Sequence, residues 1–258
     1  MAEGKLAFLG GLPRSGGTWL GAILNQNPDC YVTVQSPFVE LLWRNYSLWE
    51  DSKCTDDFIG DDLVPSESKK IAYLIGITKL YFRQFTDRNL IIDNRRQWHA
   101  ITNIRMYIDI FGELPKIICP VRNVEEIVSS FSNLFKKNNR KFRPEVSLAG
   151  NVFSDTYYQL KSTYNSMYRD CLHIIDYDNL VANTDLEVEK IYKFLNIQPY
   201  KNDYETIKGN PSYKDVDIEY GLIGMHDIKF GVLKSKTNPE KVLSKKQLKQ
   251  FKELTFWK

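Results

Sequence analysis

The sequence predicts an α/β fold of three layers, with a central, mostly parallel sheet flanked by helices. Three observations carry that expectation. Apolar runs of strand length, such as Leu6-Ala7-Phe8-Leu9 and Ile117-Ile118-Cys119-Pro120-Val121, alternate with longer stretches of helical periodicity. A glycine-rich turn joins the first strand to the first helix. The 258 residues are 43% hydrophobic and 13% aromatic, ordinary for a globular chain able to bury a large core. One domain over 1–258 is expected, with a core at about 5–196 and a less regular closing segment at about 197–258.

Taken in order, a strand at 5–10 leads to a helix at 17–26. A short strand at Tyr31–Val34 precedes a helix at Phe38–Leu48. Residues 51–66 are acidic and punctuated by Pro65, which reads as a loop or lid. A helix over Lys69–Phe85 follows, then a strand at Asn89–Ile92 and a helix at 98–111. Strand 116–121 runs into helix 123–137, with Asn123 as N-cap and Glu125 and Glu126 in the favourable first turn. The polar stretch 136–151 reads as a mobile loop. Helix 155–170, strand 172–176 and helix 184–195 complete the sheet, the last opened by a Thr184–Glu187 capping box. Ser244–Leu254 reads as a final helix.

Gly11 to Trp19 is the most informative stretch. A glycine-rich turn between strand and helix aims backbone N–H groups and a positive dipole end at one point, which suits a phosphate-like anion. Against the P-loop pattern G-x-x-x-x-G-K-[ST], Gly11, Gly16 and Thr18 fall in register, but Gly17 stands in the lysine position. The positive charge sits inside the loop instead, as Arg14. Loss of that lysine argues against nucleoside triphosphate hydrolysis and leaves anion binding intact. A P-loop kinase or NTPase stays as the alternative, as does a catalytically inactive nucleotide-binding relative.

The segment Leu12-Pro13-Arg14-Ser15-Gly16-Gly17-Thr18-Trp19-Leu20 resembles the 5′-phosphosulfate loop of the sulfotransferases that use 3′-phosphoadenosine 5′-phosphosulfate (PAPS), with Gly17 where that family has threonine. Arg122 closes a strand, and Ser130 lies eight positions on in the next helix. This pair is similar to the family's 3′-phosphate site, with Val124 where proline is usual. Tyr177-Asp178-Asn179-Leu180 and Phe194-Leu195-Asn196 resemble its late strand-helix segment.

The resemblance implies a P-loop-NTPase-like fold with a phosphosulfate-binding loop. It also implies PAPS as donor, 3′,5′-adenosine bisphosphate (PAP) as product, and no metal. Arg14 would neutralise the bridging and sulfonate oxygens. The amides of Ser15, Gly16, Gly17 and Thr18 and the Thr18 hydroxyl would hold the 5′-phosphate, and Arg122 and Ser130 the 3′-phosphate. Trp19 packs near the adenine or in the core. Lys234 and Lys236 either touch the 3′-phosphate or form a solvated pair. The implied reaction is in-line displacement onto a hydroxyl or amine of unknown class.

An acceptor hydroxyl needs a base titrating near neutrality. His99, just past the strand Leu90-Ile91-Ile92, is the first candidate and Asp93 the second. Glu40 follows from tyrosine-directed relatives that use a glutamate after the second strand. His226 is an outside candidate, and His173 opens a strand as a structural residue.

Lys plus Arg total 35 against 32 Asp plus Glu, a net of +3, too balanced to point to nucleic acid. The basic cluster of Lys136, Lys137, Arg140 and Lys141 is a solvated loop or a cleft rim. Cys30, Cys54, Cys119 and Cys171 form no C-x-x-C and no zinc spacing, which favours a reducing, cytoplasmic setting. No membrane span or signal segment is expected.

Overall fold

Five strands form one sheet among the described residues of the computed structural model, which are 5–50, 67–144, 152–228 and 237–258. They are β1 (Lys5–Leu9), β2 (Cys30–Val32), β3 (Leu90–Asn94), β4 (Ile117–Val121) and β5 (Leu172–Asp176). All pairings are parallel, in the order β2-β3-β1-β4-β5. Parallel strands need crossovers, and the helices that supply them cover both faces.

The period-2 alternation of the strands sorts the core into two layers. Phe8, Ile117, Cys119 and Val121 face one layer, built on α2 (Phe38–Glu50), α3 (Glu67–Arg83), α4 (Ile101–Phe111), α5 (Val124–Lys137), α6 (Val152–Tyr164) and, further on in the chain, α10 (Lys245–Lys252). Ala7, Leu9, Ile92 and Ile118 face the other, built on α1 (Gly17–Leu24), α7 (Tyr177–Ala182) and α8 (Thr184–Leu195). The strand order reverses direction between β1 and β4. In open α/β sheets, ligands sit at such a switch point, outside the carboxyl ends of the strands.

Several expected elements change shape. The helix expected at 98–111 splits into a 3₁₀ turn, Arg96–His99, and α4, because Ala100 is extended at φ −72° and ψ 136°. Two side-chain anchors hold the turn. Trp98 Nε1 donates to Asp93 Oδ2 at 2.6 Å, and the His99 ring is bonded on both nitrogens. The Thr184–Glu187 capping box does not form. Thr184 lies inside α8 and donates its hydroxyl to Leu180 O at 2.8 Å, while Glu187 takes Lys190 at 2.6 Å. Helix 155–170 begins earlier and ends at Tyr164. Asn123 occupies the N-cap of α5 without a side-chain cap, its Oδ1 accepting from Lys258 Nζ. Two helices were not expected: α7, capped by the Asp176 side chain, and α9 (Tyr213–Tyr220). The capping box of α10, Ser244 with Gln247, is present. The 51–66 lid, Cys54, residues 145–151 of the polar loop, and Lys234 and Lys236 lie outside the described residues.

Candidate functional site

The loop after β1 is fixed to β4 before it turns. Gly10 N–H donates to Ile118 O at 2.8 Å and Leu12 N–H to Pro120 O at 2.9 Å, so the two strand ends travel together. Gly11 sits between them at φ 80°, and a Cβ there would lie 2.3 Å from Pro120 O. Only glycine has room for that backbone. Ser15 is fully buried, and its hydroxyl lies 2.8 Å from Pro120 O and against Leu12 O. That hydroxyl is therefore committed to the loop, and Ser15 offers a ligand its amide only.

Gly16, at φ 89°, is the N-cap of α1 and carries no side chain to cap it. The first-turn N–H groups of α1 are left for an anion. They open into a cleft of 860 Å³ whose wall includes Gly16, Gly17, Thr18, Arg122 and Ser130.

Arg14 takes the left-handed conformation, φ 60°, which a non-glycine residue adopts at a cost. Its Nε donates to Ser130 Oγ at 3.1 Å, and its Nη1 contacts Met225 O. Burial, then Arg122, lowers its pKa, and Asp217, Tyr177 and Asp227 oppose that. Arg122 leaves β4 with its Nε on Glu126 Oε2 at 2.7 Å, its Nη1 3.4 Å from Arg14 O and its Nη2 3.1 Å from Thr237 Oγ1. Its guanidinium also lies 4.3 Å from the Tyr177 ring centroid. Arg14, Thr18, Arg122 and Ser130, taken from two separate motifs, thus meet in one cleft. Trp19 is 3% exposed and packs in the α1 layer, its Nε1 unpartnered.

The expected bases fare differently. His99 is fully buried. Gly11 N–H donates to its Nδ1 at 3.3 Å, which leaves Nε2 to carry the proton to Thr156 O at 3.2 Å. Neither nitrogen is available to a substrate, so the ring positions the loop instead of taking a proton. Asp93 is also fully buried, on the Phe8 side of the sheet. Its oxygens accept from Thr33 Oγ1 at 3.2 Å and Trp98 Nε1 at 2.6 Å, so it too is structural. Glu40 is the partner of Arg95, whose Nε lies 2.9 Å from Oε1, and of Gln97 Nε2 at 3.3 Å, while its Oε2 is buried and unbonded. It stands behind the Arg95 and Gln97 that line the cleft and does not line it itself.

Burial holds the His99 imidazole down to about 3. The unfolded ring takes a proton below about 6.5, so the stability this group carries is present above that pH and is lost as pH falls toward 3. Relative to wild type, His99→Gln is expected to flatten the fall of unfolding free energy between pH 6.5 and 3 by up to about 1.4 kcal/mol per pH unit. Urea melts across that range measure it, and parallel slopes would remove His99 from the account.

Residues that sequence reasoning missed complete the cleft. Tyr177, Glu126 and Thr237 hold Arg122, and the segment from α9 to Ile228 covers Arg14. Of the basic cluster, Lys137 lines the cleft 3.6 Å from Asp227, while Arg140 does not line it and its Nη1 donates to Tyr220 O at 2.9 Å. Glu126 lies four positions from Arg122, but nothing local in the sequence marks Tyr177, Thr237 or the covering segment, which come from distant elements. Among the described residues no helix is long and apolar enough to cross a membrane.

Solved structures share the architecture. The sulfotransferase domain of the Synechococcus PCC 7002 olefin synthase aligns at a TM-score of 0.52 and 18% identity, covering 96% of this chain and 93% of that one. Mouse sulfotransferase SULT7A1, solved with PAP, aligns at a TM-score of 0.53 and 17% identity over 98% and 84%. The sulfotransferase of Alicyclobacillus acidocaldarius gives a TM-score of 0.50 and 15% identity over 86% and 92%. At such identities these likenesses speak for the fold. No curated protein matches the chain. A family model described as "Sulfotransferase family" matches residues 7–202, a span that takes in the loop after β1, Arg122 and Ser130. The chain belongs to the sulfotransferase family and is a transferase.

Proposed function

We propose that the chain moves a sulfuryl group from PAPS to a hydroxyl or amine acceptor, with the donor lying across the ends of β1 and β4. One observation carries this reading. Arg14 Nε on Ser130 Oγ, at 3.1 Å, joins two anion-binding elements 116 positions apart in sequence. A nucleotide with phosphates at both 5′ and 3′ needs two such poles in one cleft, and a nucleoside triphosphate does not. The first turn of α1, with the Thr18 hydroxyl, receives the 5′-phosphate. Arg14 faces the bridging oxygen and the sulfonate, where charge grows as the bond breaks. Arg122, held by Glu126 and Tyr177, receives the 3′-phosphate beside Ser130. Lys234 and Lys236 remain candidates for the same phosphate. The olefin synthase neighbour is a domain of a biosynthetic enzyme, which is compatible with a small-molecule acceptor.

A thermal-shift titration tests the donor. PAP at about 100 times its dissociation constant is expected to add roughly 2.7 kcal/mol of stability, and Arg122→Ala to remove most of that gain. Stabilisation by ATP with Mg²⁺ alone would replace this reading with a P-loop kinase or NTPase.

A further inference from the structure

The segment covering Arg14 carries an imidazole bonded to a buried carboxylate. His226 Nδ1 lies 2.5 Å from Asp217 Oδ1, and both side chains are 7% exposed. Asp217 is itself held in place. Its Oδ2 accepts from Gly224 N–H at 3.0 Å and from His226 N–H at 3.3 Å, so the carboxylate fixes the backbone of its own partner. The imidazole stacks on Tyr213 with ring centroids 4.6 Å apart and planes at 23°. The Tyr213 hydroxyl is tied to the sheet ends, accepting from Asn94 Nδ2 at 2.9 Å and donating to Val34 O at 3.2 Å. The carboxylate is thus bonded to the ring, and the ring is stacked on a tyrosine anchored to the fold.

The histidine of the pair stands at the wall of the donor cleft. His226 lines the cleft with Arg14, Gly16 and Thr18. The residue before it, Met225, gives its carbonyl to Arg14 Nη1. One peptide unit therefore separates the imidazole from the contact made by the guanidinium assigned to the sulfonate. Asp217, also accepting from two backbone N–H groups, accepts a hydrogen bond from Nδ1–H, so the lone pair is on Nε2, which has no hydrogen-bond partner among the described residues. This is the arrangement a general base needs: a free nitrogen, with its other nitrogen oriented by a carboxylate. His99 has neither nitrogen free.

We propose that His226, oriented by Asp217, is the general base that takes the acceptor's proton during sulfuryl transfer. The inference rests on the sulfotransferase reading above. In the step, the acceptor oxygen forms its bond to sulfur as the bond from sulfur to the 5′-phosphate oxygen breaks, and PAP leaves with that electron pair. The acceptor O–H breaks and the proton passes to His226 Nε2, while Nδ1–H stays on Asp217. The charged groups around the ring are Asp217 on α9, Arg96 from the 3₁₀ turn and Arg14 from the loop, with Tyr213 against its face and Asp227 next in the chain. Burial lowers the imidazole's pKa, Asp217 opposes that, and Arg96 and Arg14 add to it. The ring is therefore neutral, and able to accept a proton, at pH 7.

The chain has three histidines, so nitrogen-15 spectra of the labelled protein separate their tautomers directly. His226 is expected with its proton on Nδ1 and His99 with its proton on Nε2. Turnover of PAPS to PAP, with water and with 2-naphthol as acceptors, is then compared for wild type and His226→Gln. The variant is expected to keep the PAP thermal shift, to lose 10²- to 10⁴-fold in turnover, and to lose the acidic limb of the pH–rate profile. His226→Ala with added imidazole is expected to regain part of the rate. A proton on Nε2 of His226, or a variant that turns over at the wild-type rate, overturns the proposal. Loss of the PAP shift in His226→Gln also overturns it, in favour of a donor-binding role. Absence of a PAP shift in wild type would instead sink the donor reading and leave the tautomer result standing.

Discussion

Arg14→Ala is expected to lower sulfuryl transfer from PAPS by about 10²- to 10³-fold while the protein stays folded. The size follows from what the side chain faces. In the proposed reaction the half-buried guanidinium meets the breaking bond and stabilises charge that exists only in the transition state, so its loss is expected to fall mainly on kcat. Donor affinity should change less, because the first-turn amides of α1 and Arg122 remain. Arg14→Lys separates charge from shape. Lysine keeps the charge but loses the planar fork that reaches Ser130 Oγ and Met225 O together, so an intermediate rate is expected. A loss below tenfold in Arg14→Ala, measured by PAP release, would make the residue a clamp for the covering segment instead of a charge stabiliser.

Gly11→Ala is expected to be the most damaging glycine-to-alanine change among the described residues. The added carbon would sit 2.3 Å from Pro120 O, at a residue whose φ is 80°. The clash is with backbone and cannot be relieved by turning a side chain. Moving the loop away would break the Gly10–Ile118 and Leu12–Pro120 hydrogen bonds and withdraw Gly11 N–H from His99. The cost is expected to reach roughly 4 kcal/mol or more, in the range reserved for strained and overpacked sites. For a chain of this size that lowers the melting temperature by on the order of 10 °C. Gly17→Ala is the control. Its added carbon meets only Pro120 Cγ, at 3.8 Å, an ordinary contact. Equal melting temperatures for the two variants would refute the steric argument.

How much of this was legible in the sequence depends on how local the signal is. The strand-loop-helix after β1 and the Arg122–Ser130 spacing are written within about twenty and ten residues, and the fold places them at the same carboxyl end of the sheet, on adjacent strands. The proposed base was legible only as an outside candidate, His226, behind His99, Asp93 and Glu40. Asp93 lies near the end of β3 and His99 follows it closely enough to suggest the cleft, but which way a side chain points is decided by residues far away. Gly11 and Thr156 hold His99 inside, and Thr33 with Trp98 holds Asp93. The His226–Asp217 pair spans nine positions across the end of a short helix, a spacing that matches no period. The helix at 98–111 broke for a similar reason. Its apolar pattern continues through Ala100, but the interior hydrogen bonds of Trp98 and His99 override propensity. Helix α9 stayed unseen because Tyr213–Tyr220 buries only Tyr213 and Asp217 and shows little amphipathic pattern.

The order β2-β3-β1-β4-β5 also sets a timetable for synthesis. β1 pairs with β3 and β4 and with no other strand, so Lys5 meets its partner Leu90 only after some 85 further residues have been made. At usual rates of translation that is roughly ten seconds. For the later part of this interval the apolar run Leu6–Leu9 has left the ribosome and is without a neighbouring strand. β2 cannot relieve it, since β3 lies between the two. The anion loop takes shape still later, because Gly10 and Leu12 donate to Ile118 and Pro120 of β4. A nascent chain halted before about residue 121 would thus hold the glycine-rich segment without the strand that folds it. Such a fragment is a natural client for a chaperone and a hazard for aggregation.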